Sequence, residues 1–242
     1  MKSKIKGGFS ILLMSLIFYC MITTKYTHAL GDYIVEFVGL NSWTGDNSGV
    51  HLTIIYFGIP FIIALLEVER YVINGLNISR IHVFLIFIVL MTIFYLLTGL
   101  IVSNIKKNSP GLLSIAFNPE NSSINYSTKD KELVEFTAEF ELINYSNEKR
   151  TFYISIDRPS YRQDGIEAIS FYTINGEKAV FQLEGNETKF FSLNLNDYKV
   201  VGGRRFQNGS ESGTIEEIVL TDDEGDKVIL NRNNGFFAEL SR

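Results

Sequence analysis

Residues Ile81–Ile105 read IHVFLIFIVLMTIFYLLTGLIVSNI, 25 consecutive positions without Asp, Glu, Lys or Arg. A bilayer's hydrocarbon core is roughly 30 Å thick and needs about 20 residues of helix. At about 1.5 Å per residue this stretch reaches about 37 Å, so it is expected to cross a membrane with length left for tilt. Its upstream neighbour, Asn47–Leu66, is also free of formal charge, with Val50–Leu66 as apolar centre and Pro60 inside it. A proline there removes a helical hydrogen bond and is expected to kink the helix. A buried helix of a soluble protein has the same composition, but the position one short loop before Ile81 favours a hairpin. The reading is a transmembrane helix at 50–67, a cytoplasmic loop at 68–80 and a second helix at 81–105.

Further upstream, Gly7–Thr24 is uncharged and follows Lys2, Lys4 and Lys6. Residues 1–24 therefore fit either a retained first span, with Lys25 and Tyr26 as interfacial anchors, or a signal peptide cut after Thr27-His28-Ala29. Cys20, in an Ile-Phe-Tyr-Cys setting, does not suit lipoprotein processing and reads as a small packing residue. Retention is the favoured reading. With the N-terminus inside, Lys2, Lys4, Lys6, Arg70 and Arg80 face the cytoplasm, and Lys25, Lys106 and Lys107 lie outside. Removing the first segment leaves two spans and the same outcome, so residues 110–242 are expected outside under either model.

Residues 25–49 form an extracytoplasmic connector. Leu30, Ile34, Phe37 and Val38 fall at helical spacing with Asp32 and Glu36 elsewhere, a pattern that suits a helix lying on the outer leaflet. Tyr33 and Trp43 are residue types that settle among headgroups. Trp43 is also a candidate for partner contact. His51 and His82 sit at span ends and the spans lack charged residues, which argues against a channel or proton relay built from these helices alone.

Downstream of Pro110 the period changes to two. Phe136, Ala138, Phe140 and Leu142 alternate with Glu135, Thr137, Glu139 and Glu141, and Phe152, Ile154 and Ile156 alternate with Thr151, Tyr153, Ser155 and Asp157. Each run predicts a strand with one face in a core and one in water. Ser146–Arg150 reads as a hairpin loop between them, and Asn175-Gly176 as a type I′ hairpin turn. Further strands are expected at 112–117, 191–195, 198–206, 215–220 and 227–230. About eight strands in some 130 residues give an all-β domain at 110–242.

The strand, loop and strand from Phe136 to Ile156, with the segment from Phe181 to Leu195, resembles the immunoglobulin-like sandwiches of bacterial surface proteins. The resemblance covers about half the tail and has no diagnostic motif, because the only Trp and the only Cys precede it. It implies a fold and no activity.

Charge divides the chain at the same boundary. Its 242 residues carry a net −5, and this averages +3 over residues 1–107 with −8 over 108–242. All three His and the single Cys lie in the first part, which excludes a zinc finger, a disulfide scaffold and a basic nucleic-acid binder. A cysteine-free external domain is commoner in bacteria, so the five Asn-X-Ser/Thr sites of residues 110–242 read as chance matches in an Asn-rich chain.

The tail offers no His or Cys nucleophile, and no cofactor or metal site is marked. Asp222, Asp223 and Asp226 in DDEGD form an acidic hairpin tip without EF-hand spacing. Arg204 and Arg205 after Gly202-Gly203 could cradle an anion but lack a phosphate-loop Lys-Ser/Thr. These five residues and Trp43 are the candidate interaction positions. The function expected is a bacterial integral membrane protein that displays a β-sandwich for protein contact, as an accessory subunit, envelope sensor or adhesin. Its partners would be the lipid bilayer and a membrane or envelope protein. The alternative is a membrane-bound envelope enzyme using carboxylates or a Ser-Lys pair.

Overall fold

The computed structural model describes residues 2–26, 28–45, 48–158, 167–203, 208–231, 236 and 240–241. The chain divides into two compact units, 1–101 and 102–242.

In the first unit, α1 (Lys2–Cys20) is followed by the short α2 (Leu30–Phe37), a two-stranded hairpin of β1 (Trp43–Gly45) and β2 (Ser48–His51), and α3 (Leu52–Val68). A π-helical turn at Glu69–Ile73 and α4 (Asn74–Leu76) prolong α3, so residues expected in a loop at 68–80 are helical as far as Leu76. Asn77 then ends the run in the left-handed region, at φ 55°, a conformation that Asn tolerates better than most residues. The start of α3 also differs from the sequence reading: Val50 and His51 pair back with the Trp43 strand, and the helix begins at Leu52.

Among the described residues, two helical runs are long and apolar enough to cross a membrane, Leu52–Leu76 and Arg80–Lys107, the latter being α5. Only 17% and 6% of the residues in their apolar windows are buried in the protein. The surface they leave open is apolar and mostly aliphatic, with Ile54, Ile55, Ile59, Leu96 and Leu100 all exposed and Phe84 among them. α1 packs on α3 through Ile11, Met14, Ala64, Val68 and Val72. Gly7 permits the close approach: a Cβ there would lie 3.1 Å from Leu76 Cδ1 and 3.3 Å from Val72 Cγ2.

The second unit begins with the last turns of α5 and is otherwise β, apart from a single 3-10 turn at Gly111–Ser114. One sheet has the order β10-β3-β4-β8, built from Gly209–Gly213, Ile115–Lys129, Glu132–Asn144 and Thr188–Asn194. The other has the order β13-β12-β11-β5-β6-β9, from Leu240–Ser241, Lys227–Asn231, Glu217–Thr221, Arg150–Arg158, Ile169–Tyr172 and Lys199–Gly202. β7 (Phe181–Leu183) pairs with β5 off that path. The inward residues of both sheets, including Phe136, Phe140, Phe152, Phe171, Leu220 and Leu230, share one core. The alternation read in β4 and β5 is observed: Phe136, Ala138, Phe140 and Leu142 are buried, as are Phe152, Ile154 and Ile156.

Two turns and one segment differ from expectation. β4 and β5 lie in different sheets, so Ser146–Lys149 is a crossover between layers and not a hairpin loop. Its physical basis is Asn144, fully buried, whose Nδ2 donates to Glu148 O and Glu184 O at 2.8 and 2.9 Å. At Asn175-Gly176 only Gly176 has positive φ, and its N–H donates to Thr173 O, so the turn is not type I′. Positive φ at two successive central residues occurs instead at Asp130-Lys131, φ 53° and 68°, where Lys129 pairs with Glu132 to close the β3–β4 hairpin. The Gly209–Gly213 segment, which reads as loop, is an edge strand because β3 supplies a regular ladder from Ile124 to Thr128.

Candidate functional site

A polar cluster in the helical unit lies where α2, the β1–β2 hairpin and the start of α3 meet. Asp32, on α2, is 4% exposed, and its Oδ1 is 2.6 Å from His51 Nε2. Trp43 stacks on the His51 ring at 4.2 Å between centroids with 10° between planes. Glu36, one helical turn beyond Asp32, accepts a hydrogen bond from Ser42 Oγ, and Ser42 O in turn accepts from Leu52 N and Thr53 N. Thr44 Oγ1 accepts from Val50 N across the hairpin. The segment between Asp32 and His51 is thus tied to itself at four places.

Gly31 lets this cluster form. A Cβ at that position would lie 2.6 Å from Cys20 O and 2.7 Å from Thr53 Cγ2, so any larger residue would push α2 off the end of α1 and the first turn of α3. Helical rotation then gives α2 two unlike sides. Gly31, Asp32 and Val35 are buried, while Leu30, Tyr33, Ile34, Glu36 and Phe37 are exposed, Phe37 by 91%, with Glu36 at the edge between Asp32 and the apolar residues.

Sequence reasoning placed Trp43 as a lone interfacial or docking residue and treated His51 as solvated; the structure joins the two and adds Asp32. The signal available was a carboxylate on one side of a turn-rich segment and an imidazole on the other. Sequence spacing of 19 residues hides it.

In the β unit, Asp222 Oδ1 accepts from Glu224 N and Asp226 N at 3.1 and 2.9 Å, closing the acidic tip as a side-chain-capped turn between β11 and β12. Asp223 stands within hydrogen-bonding reach of the Tyr153 phenol on β5 and raises its pKa above the ordinary tyrosine value, by hydrogen bonding first and charge repulsion second. Arg204 and Arg205 lie outside the described residues; Gly202 and Gly203 before them both have positive φ, 96° and 72°.

Two open grooves lie on the outer sheet faces. One of about 400 Å³ is lined by Tyr153, Ser155, Ser170, Lys178, Thr221 and Lys227, with Lys178 Nζ 4.2 Å above the Tyr153 ring. The other, about 600 Å³, is lined largely by amides and hydroxyls, among them Asn125, Thr137, Asn194, Ser210 and Ser212. Glu135, Glu139 and Glu141 lie on the outer face of the second sheet, as their alternation with buried residues requires. Lys106, at the end of α5, donates to Leu113 O and Ile115 O at 2.9 and 2.8 Å, and neighbouring Ser114 Oγ donates to Gly111 O. That lysine secures the entry into β3 and complements the carbonyl end of its own helix. Among the described residues no group of three or more His, Cys, Asp or Glu is placed to hold a metal ion.

Compared with known proteins, the chain matches no family model, no curated protein and no solved structure.

Proposed function

We propose that this chain is a multi-pass membrane protein that presents its β domain outside the cytoplasm as a protein-binding module. Three crossings are proposed, with α1 retained, and the support for retention is the buried α1–α3 seam around Ile11, Met14 and Gly7. A segment made for removal has no need of such packing. The immunoglobulin-like kinship of the β domain draws on the β4-to-β5 crossover between layers. The absence of a second Cys favours a bacterial envelope over an oxidising eukaryotic one.

The observation that carries the binding role is β8. It is an edge strand of the four-stranded sheet, and Phe190 on it stands 56% exposed on the outer face beside Glu141. An edge with no further strand among the described residues and an exposed aromatic side chain invites a partner strand, with main-chain hydrogen bonds supplying affinity and the side chain selectivity. As accessory subunit, envelope sensor or adhesin, the protein would use this edge for docking.

A photo-crosslinking amino acid at Phe190, in intact cells, should capture one discrete partner, and the same probe at Glu139 in the centre of the sheet should capture less. Equal, diffuse labelling at both positions would remove the support for an edge-strand contact. Protease added to spheroplasts should digest residues 110–242, and full protection would overturn the topology.

A further inference from the structure

We propose that α2 and the β1–β2 hairpin form a clamped element whose partner is the phospholipid surface, the apolar side of α2 entering the headgroup region while Asp32 is held on the buried side and Glu36, exposed at the edge of the arc, is engaged by Ser42. This rests on the membrane reading above and concerns a part of the chain that reading does not use. Leu30, Tyr33, Ile34 and Phe37 form one contiguous exposed arc of α2, continued by Val38 and Leu40 beyond its end. No charged side chain lies on that arc. It adjoins the ends of α1 and α3 within the same unit, and α3 continues the exposed apolar surface through Ile54 and Ile55. Of the possible occupants, lipid fits because the surface is continuous with that of helices built to lie in it, and because aromatic residues with a polar tip, Tyr33 and Trp43, are placed at the same end.

The clamp explains why α2 carries carboxylates at all. A carboxylate beside hydrocarbon is costly unless it is paired. Asp32 is turned to the buried side and meets His51, and Glu36 meets Ser42, so each acid is answered by the segment that returns over it. The stacked Trp43 holds the imidazole in the plane that reaches Asp32. A free helix of eight residues has little stability of its own in water; here the hairpin fixes which side faces outward.

The protein has one tryptophan, so depth can be read by fluorescence. Full-length protein with Trp43→Phe receives a single new tryptophan by Phe37→Trp or by Ile93→Trp, in vesicles of phosphatidylcholine and phosphatidylglycerol containing lipids brominated either near the headgroup or near the chain end. Phe37→Trp should lose emission to the headgroup-proximal bromine, and Ile93→Trp, midway along α5, to the deep one. Emission from Phe37→Trp that survives both lipids while Ile93→Trp is quenched overturns the docking proposal and leaves the membrane reading standing. Unquenched Ile93→Trp overturns the membrane reading itself. Adding His51→Ala should reduce quenching of Phe37→Trp and leave Ile93→Trp unchanged; unchanged quenching at both positions removes the clamp from the proposal.

Discussion

Asn144 Oδ1 accepts two hydrogen bonds from Ser146, one from its backbone N–H at 3.0 Å and one from its hydroxyl at 2.9 Å, at the corner where the chain leaves one sheet for the other. With the two carbonyls served by its Nδ2, this single amide replaces the ladder partners that β4 loses on turning away. Such a satisfied buried network fixes one conformation, and a partly satisfied one is costly. Asn144→Ala should therefore destabilise the β domain by about 1–3 kcal/mol, since it removes the bonds of a fully buried amide to Ser146, Glu148 O and Glu184 O. Asn144→Asp should fail similarly, because it faces Glu148 O and Glu184 O with an acceptor. Thermal unfolding of the detergent-solubilised protein by circular dichroism checks both; a melting point unchanged in Asn144→Ala would mean that backbone pairing alone sets the corner.

Two helical glycines in the helical unit should respond oppositely to the same change. Gly31→Ala meets Cys20 O and Thr53 Cγ2 within 3 Å, whereas Gly58→Ala, in α3, meets nothing within 4 Å. The first should displace α2 and expose Asp32. The second should be neutral or stabilising by up to about 1 kcal/mol, because alanine restricts the unfolded chain and favours helix. Hydrogen exchange at the α2 amides distinguishes them: faster in Gly31→Ala, unchanged in Gly58→Ala.

What the sequence made legible was whatever depends on periodicity. The long apolar helix at 81–105, the alternating strands β4, β5 and β8, and the β11–β12 hairpin all announce themselves through side chains that repeat every turn or every second residue. Features that depend on distant partners were hidden. Gly209–Gly213 has no strand composition and becomes one only beside β3. The pattern of β3 itself is broken between Asn118 and Ser123, around Pro119, where its register with β4 shifts. Asn144 looked like the end of a strand before a polar loop, because nothing local shows that its amide will meet Glu184 forty residues later. Asp32 and His51 were read separately for the same reason.

Tyr153 offers a pH test of the acidic tip. Its phenol is held above the ordinary tyrosine pKa by Asp223, so ionisation requires more alkaline solution than for a free tyrosine. Removing the carboxylate with Asp223→Asn should let that pKa fall toward its usual value near 10. Carbon-13 labelling of tyrosine and a titration followed by NMR reads this directly. The Tyr198 phenol, raised chiefly by burial and only secondarily by Asp197, should titrate identically in both proteins. A Tyr153 curve that does not move would place the Asp222–Asp226 turn away from the sheet face in solution.

The Asp32–His51 contact should behave as a coupled pair. Both side chains are nearly buried, 6% and 11% exposed, so truncating either strands the other in a poorly hydrated place. Breaking a buried pair from one side typically costs about 3–5 kcal/mol, while replacing both members with apolar groups of similar size can be nearly neutral. Asp32→Leu and His51→Phe should each loosen the hairpin, and the double variant should recover most of the loss. Trp43 supplies the readout without labelling, because it lies stacked on the imidazole and is the protein's only indole. Its emission should shift to longer wavelength in Asp32→Leu, as the ring gains water, and return in the double variant, where a phenyl ring replaces the imidazole beneath it. If the two single effects simply add, the residues do not act as a pair and the hairpin is held by Glu36–Ser42 and the backbone bonds alone.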